Sequence, residues 1–182
     1  ISPYAVTKLV NELYAKVFGE LYNMEFIGLR YFNIFGPRQN PNGPYAAVIP
    51  LFIEAVQQKE IPKIHGDGQQ SRDFTFVENA VQANLKALFT ENPEAVNQVY
   101  NIACGERTTL LELLQMIQEI AGTDIQPEFT PGRPGDVKHS LADISKAQRL
   151  LGYQPEVTIR EGLNIAFAWY SKQSEVLHEK YK

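Results

Sequence analysis

Phe26-Ile27-Gly28-Leu29-Arg30-Tyr31-Phe32 is a short, nearly continuous apolar run, as in a parallel strand buried on both faces. Working backward, Val6, Leu9, Val10, Leu13, Val17 and Leu21 form an apolar stripe at helical spacing, which predicts a helix from about Pro3 to Tyr22 with Pro3 in its first turn. Working forward, a Gly/Pro/Asn-rich loop from Gly36 to Tyr45 precedes a predicted helix from Val48 to Gln58. The remaining order alternates. Strands are predicted at Pro62–His65, Asp73–Phe76, Val99–Ile102 and Gln126–Phe129, with a turn at Gly66-Asp67-Gly68. Helices are predicted at Glu78–Thr90, Thr109–Ala121, from Asp143 as N-cap to Gly152, and from Thr158 to about Lys172. Alternating helix and strand give an α/β class. A helix feeding one buried-type strand reads as the tail of a parallel sheet with neighbours missing, and the rest as a smaller α+β lobe.

Composition narrows the function. The chain has 182 residues, 44% hydrophobic and 21% charged, enough for one domain with a core. The net charge of −4, without a block of like charges, offers no footprint for nucleic acid or an anionic membrane. Cys104 is the only cysteine, and His65, His139 and His178 are scattered, so no disulfide framework or metal-ligand spacing is present. No apolar run approaches the roughly 20 residues of a membrane span. A cytoplasmic location is the default expectation. Because the first residue is Ile and not Met, the chain is expected to begin partway through a longer protein.

The chemistry starts at Tyr4 and Lys8, four apart in Ser2-Pro3-Tyr4-Ala5-Val6-Thr7-Lys8 and so on one helix face. A free phenol ionises at about pH 10 and is a poor base at neutrality, but an adjacent ammonium favours the phenolate, so the pair can move a proton. On its own the pattern is common on helix surfaces. It is followed by Arg30-Tyr31-Phe32-Asn33, Phe35-Gly36-Pro37-Arg38-Gln39, Gly66-Asp67-Gly68, Ser71-Arg72-Asp73-Phe74, Asn101-Ile102-Ala103 and Gly132-Arg133-Pro134-Gly135-Asp136. Each has a bland reading. Asn33 could cap a turn, Arg72 and Asp73 could be an exposed ion pair, and Gly66 and Gly68 could make a hairpin turn. The glycines at 66 and 68 are not a dinucleotide fingerprint, since Ser71 stands at the third position and no helix follows at once.

In order and spacing together, these motifs resemble the C-terminal half of an extended short-chain dehydrogenase/reductase, the family of NAD-dependent nucleotide-sugar epimerases and dehydratases. The resemblance covers essentially the whole chain. Through the loop Gln39–Pro50 it is most similar to UDP-N-acetylglucosamine/N-acetylgalactosamine 4-epimerases. It implies a Rossmann-type fold, with residues 1–36 the remnant of the NAD-binding domain and 37–182 mainly a UDP-sugar lobe, segments from about 73 to 102 returning to the Rossmann sheet. It implies that Tyr4 is the catalytic acid and base, that Lys8 holds the nicotinamide ribose and favours the phenolate, and that Tyr31 and Phe32 lie near the nicotinamide. Asn33 is implied on the diphosphate side, Ala47 and Val48 at the nucleotide entrance, and His65 near the uracil. Arg72 and Arg133 are implied on the diphosphate and Asp136 on the ribose hydroxyls. Two guanidiniums forking onto a diphosphate make physical sense.

The chain departs from the family in one large respect: neither the glycine-rich NAD fingerprint nor the Ser or Thr position with which the family assists its Tyr is found in it. NAD binding by the isolated chain is therefore in doubt, and an exposed apolar strand edge is expected around Phe26 to Phe32. The partners implied are a UDP-sugar and either a second copy in a homodimer or a chain supplying the N-terminal Rossmann half. A nucleotide-sugar 4,6-dehydratase, distinguished by an Asp-Glu pair upstream of Tyr4, and a non-catalytic UDP-sugar-binding fragment remain the alternatives.

Overall fold

The computed structural model describes residues 3–40, 47–132 and 137–180, with side chains to residue 173. In chain order the elements are α1 Pro3–Tyr22, β1 Ile27–Tyr31, β2 Ile34–Phe35, α2 Val48–Gln58, β3 Lys63–His65, β4 Ser71–Arg72, β5 Thr75–Phe76 and α3 Val77–Leu88. They continue with β6 Gln98–Ile102, β7 Thr108–Thr109, α4 Leu110–Ala121, β8 Glu128–Thr130, α5 Ser145–Leu151 and α6 Ile159–Lys180. The protein is α/β. β1 runs parallel to β6, with Ile27 opposite Gln98 and Tyr31 opposite Ile102. β2 is parallel to β5, β3 is parallel to β8, and β4 is antiparallel to β7.

Two apolar clusters hold these pieces. The first packs α2, α4 and α6 through Ile49, Phe52, Ile53, Leu113, Ile117 and Leu163 over Phe35 and Phe76, whose rings meet edge-on at 5.5 Å. α4 is well specified locally. Thr109 and Glu112 form a reciprocal capping box at its start, and Gly122 closes it in a left-handed cap. The second cluster surrounds β6 with Ala83, Tyr100, Ile102, Ala147 and Tyr153. Its two buried phenols are satisfied by main-chain carbonyls, Tyr100 donating to Ala95 O at 2.7 Å and Tyr153 to Ala103 O at 2.9 Å.

α1 is different. Its apolar stripe falls at the predicted spacing, yet the helix buries no residue. Leu13 is 55% exposed and Leu21 70%. The helix is tied to β1 by a bidentate pair in which Arg30 donates to both carboxylate oxygens of Glu12, each at 2.6 Å. Among the described residues β1 has one strand neighbour, β6, so its other edge is open.

Several local expectations are corrected. Of the strand predicted from Asp73 to Phe76 only Thr75–Phe76 forms, as β5; Asp73 lies between β4 and β5, which pair in different sheets, and turns its carboxylate inward. Gly66 and Gly68, at φ 82° and 74°, do not close a hairpin: β3 and β4 pair with β8 and β7, so the turn carries the chain from one sheet to another. Asp73 is fully buried, which removes the exposed ion pair with Arg72. Asp143 does not sit at the N-cap of α5, which Ile144 occupies; its carboxylate accepts from the Ser145 N–H at 2.9 Å one residue early. The strand predicted over 126–129 lies at 128–130, and α6 continues to Lys180.

Candidate functional site

A cleft of about 530 Å³ opens between α2 and the ends of β2, β3 and β4, a size suited to a small-molecule ligand. Phe35, Phe52 and Phe74 supply apolar wall, and Asn33, Ala47, Val48, His65 and Arg72 line it as well. These five candidates are spread over forty positions of sequence, and the topology gathers them.

Asn33 follows directly from β1, where the Phe32 N–H still donates to Ile102 O at 3.1 Å and extends the parallel ladder. Asn33 itself turns to φ 39°, a left-handed conformation that Asn tolerates better than most residues. Two contacts with the strand opposite hold it there: its Nδ2 donates to Asp73 O at 2.9 Å, and its carbonyl accepts from the Thr75 N–H at 3.3 Å. Ala47 occupies the N-cap of α2 and brings no side-chain acceptor to the first-turn N–H groups. His65 ends β3, with Nδ1 2.7 Å from the Thr130 hydroxyl, while Gln70 Nε2 donates to the His65 carbonyl. Arg72 lies on β4. Its Nη1 donates to Ser71 O at 2.9 Å and reaches Lys138 O at 3.4 Å.

Asp73 is the residue the sequence reading missed. Its carboxylate accepts main-chain N–H groups from Cys104 and Gly105 at 3.0 Å each and from Ala142 at 3.3 Å. Burial pushes its acidity toward the neutral form, and the three N–H donors pull back. Burial, helped by the neighbouring Asp73 charge, raises the Cys104 thiol to about 11, which disfavours its thiolate. The motif Ser71-Arg72-Asp73-Phe74 signalled that Asp73 matters, but adjacency in sequence cannot reveal which neighbour faces inward. Lys63, Glu54, Glu60 and Gln70 also line the cleft and had no signal in the sequence reading.

The other candidates lie elsewhere. Tyr4 and Lys8 share one face of α1 as expected, the ammonium 5.2 Å from the ring centroid, with Tyr4 70% exposed. Neither is a wall of the cleft. Tyr31 donates its hydroxyl to Asn84 Oδ1 on α3 at 3.0 Å, and Phe32 packs against the second cluster. Arg133 and Asp136 lie outside the described residues. Among the described residues no group of three potential ligands could hold a metal ion, and no helix is long and apolar enough to cross a membrane.

The chain thus combines an α/β scaffold with parallel strand pairs, a Tyr-x-x-x-Lys helix and a cleft lined by Arg72. The chain belongs to the extended short-chain dehydrogenase/reductase family of nucleotide-sugar enzymes: the family model described as GDP-mannose 4,6 dehydratase matches residues 1–166. It is 37% identical over 169 residues to a putative UDP-glucose 4-epimerase of Methanocaldococcus jannaschii, covering 93% of this chain and 53% of that protein. Among solved structures it is similar to a UDP-glucose 4-epimerase of Thermotoga maritima with UDP-glucose, at TM-score 0.90 and 38% identity, covering 96% of this chain and 55% of that one. It is also similar to a UDP-N-acetylglucosamine 4-epimerase of Methanobrevibacter ruminantium in complex with UDP-N-acetylmuramic acid, at TM-score 0.88 and 43% identity, covering 94% of this chain and 54% of that one. The chain thus spans about half the length of the relatives it matches and aligns with their C-terminal half.

Proposed function

We propose that this chain is the catalytic-tyrosine helix and sugar-nucleotide lobe of an NAD-dependent UDP-sugar 4-epimerase, with a UDP-N-acetylhexosamine as substrate. The observation that carries the reading is the convergence of Asn33, Ala47, Val48, His65 and Arg72 on one cleft. The epimerase names of its relatives support the reaction, and the 43% identity to an N-acetylglucosamine epimerase supports the sugar. In this reading residues 1–36 belong to the cofactor domain and 37–182 mainly to the substrate lobe, with 73–102 returning to the sheet. The parallel pairing of β6 with β1 supports that return.

Arg72, with Arg133, grips the diphosphate. Asn33 lies on the diphosphate side, Asp136 takes the ribose hydroxyls, His65 lies near the uracil, and Ala47 and Val48 line the nucleotide entrance. Tyr4, 70% exposed, takes the proton of the sugar hydroxyl at carbon 4, and Lys8 lies beside its ring on the same helix face. NAD, when bound, supplies the hydride acceptor. Of its site this chain carries residues for one end. The adjacent Tyr4 hydroxyl and Lys8 ammonium fit a nicotinamide ribose, with Tyr31 and Phe32 toward the ring. The 182 residues hold no glycine-rich pyrophosphate cradle, so an N-terminal half, in the same chain or from a partner, completes the site, and a second copy is a further candidate partner.

Titration of the chain with UDP tests the reading. A charge-assisted hydrogen bond contributes about 1.5–3 kcal/mol, so Arg72→Ala should weaken UDP by about ten- to a hundredfold. An unchanged affinity would remove the diphosphate site. The dehydratase description of the family model supports a second reading, a nucleotide-sugar 4,6-dehydratase. Product analysis separates the two, since an epimerised sugar keeps its 6-hydroxyl and a dehydrated one loses it.

A further inference from the structure

We propose that Arg72 is aimed by a two-point clamp, in which His139 on Ser71 and the Asp73 carboxylate on Ala142 fasten segment 138–142 along β4, so that His139 and Asp73 are positioning residues for the guanidinium. This rests on the UDP-site reading above and names what sets its geometry. Arg72 has long, freely rotating χ angles, and a guanidinium that must meet a diphosphate loses rotamer entropy unless it is held beforehand. The holding group is the Lys138 carbonyl, which accepts from Arg72 Nη1. That carbonyl is itself placed by main-chain pairing: Ser71 N–H donates to Lys138 O at 2.9 Å, and Ser140 N–H donates to Ser71 O at 3.0 Å. Ser71 O is the other acceptor of the same Nη1. These two carbonyls both belong to the bridge between Ser71 and His139.

One isolated bridge is weak, and the side chains on either side reinforce it. On one side the Ser71 hydroxyl, on a residue only 2% exposed, meets His139 Nδ1 at 2.9 Å. On the other, Asp73 receives the Ala142 N–H, and its remaining lone pairs bind the turn at Cys104 and Gly105. Asp73 reaches the opposite wall as well, since its carbonyl accepts from Asn33 Nδ2. Two cleft residues are thus referred to one buried residue, Asp73: Arg72 through the segment that its carboxylate fastens, and Asn33 through its main-chain carbonyl. His139 itself does not line the cleft.

His139→Ala removes the Ser71 contact while leaving the backbone able to pair. His139→Asn restores an acceptor near the Nδ1 position. Two readouts are needed: the Arg72 Nε–H heteronuclear NOE in the unliganded 182-residue chain, and UDP affinity by calorimetry. His139→Ala should lower the NOE and weaken UDP about three- to tenfold, the scale of one neutral hydrogen bond. His139→Asn should recover both. Ser71→Ala should mimic His139→Ala, and the double variant should be no worse than either single one. An Arg72 NOE unchanged by His139→Ala, or an effect that Asn does not rescue, overturns the clamp. If instead Arg72→Ala leaves UDP binding untouched, the UDP-site reading falls, while the NOE arm still decides whether His139 holds the guanidinium.

Discussion

Tyr4 and Lys8 place an exposed phenol and an ammonium side by side, an arrangement of use only if a substrate hydroxyl arrives there. Tyr4→Phe keeps the ring and helix and deletes the proton carrier. In the chain joined to an N-terminal nucleotide-binding half, turnover should fall by about 10²–10⁴-fold while UDP-sugar binding stays within twofold or so. Retention of most activity would return the pair to a helix-surface contact. Asp73 makes a different prediction. Its folded-state acidity is shifted toward the protonated form, chiefly by burial. The folded state then holds this proton more tightly than the unfolded chain, and the contribution to stability is full below the ordinary carboxylate range. It is lost as pH rises through the raised value. Asp73→Asn cannot titrate. The stability of the unsubstituted chain minus that of Asp73→Asn, from urea midpoints, should therefore shrink as pH rises above the ordinary carboxylate range. A difference that grows with pH over that range contradicts the assignment. Asp73 was legible as a motif member and illegible as a buried anchor, because the N–H groups that its carboxylate accepts from lie 31 to 69 positions away.

At the scale of elements, local signals placed α1, α2 and α4 almost to the residue, since each carries an apolar period and two carry clear terminal chemistry. The short strands were less legible. Two- and three-residue strands such as β4, β5 and β7 have no period of their own and exist because a partner strand is brought to them. α6 illustrates a conflict between local and tertiary preference. Gly162 lies inside this helix, where Ala is the better helix former by about 1 kcal/mol. A Cβ there would stand 2.7 Å from Phe76 Cδ2 and 2.9 Å from Phe35 Cζ. Both rings are buried in the main core and cannot swing aside freely. Gly162→Ala should therefore destabilise, by about 1–3 kcal/mol, as read from a lower urea midpoint. A higher midpoint would mean that α6 docks less tightly on the Phe35–Phe76 pair.

At the scale of the whole molecule, apolar surface collects on the helices that flank the β1–β6 pair. α1 exposes Leu9, Leu13, Val17 and Leu21, and α3 exposes Val81, Leu85 and Leu88, at helical spacing, with Phe89 exposed at its C-cap. The open edge of β1 lies in the same sheet. Monomeric proteins seldom leave such continuous apolar faces in water. We expect the 182-residue chain alone to bind a hydrophobic dye and to self-associate as its concentration rises in sedimentation velocity. We also expect it to show no saturable NAD binding at micromolar concentration, because it carries no pyrophosphate cradle. Addition of an N-terminal half of the family should quench the dye signal. One-to-one NAD binding by the isolated chain would show that the cofactor needs less of the Rossmann domain than this account allows.

The sequence by itself determined the α/β class, the helices, the Tyr4–Lys8 face and the family, because each rests on spacing within one short segment or on the order of short motifs along the chain. Tertiary structure alone decided three things. Asn33, Ala47, Val48, His65 and Arg72 share a cleft, Asp73 is the buried anchor beside it, and the stripe of α1 faces outward in this chain. The physical reason is common to all three. An apolar period states that a face will be buried but not against what, and a polar motif states that a group can bind but not which groups will meet it. Both are settled by contacts between residues distant in sequence, which exist only once the sheets have paired.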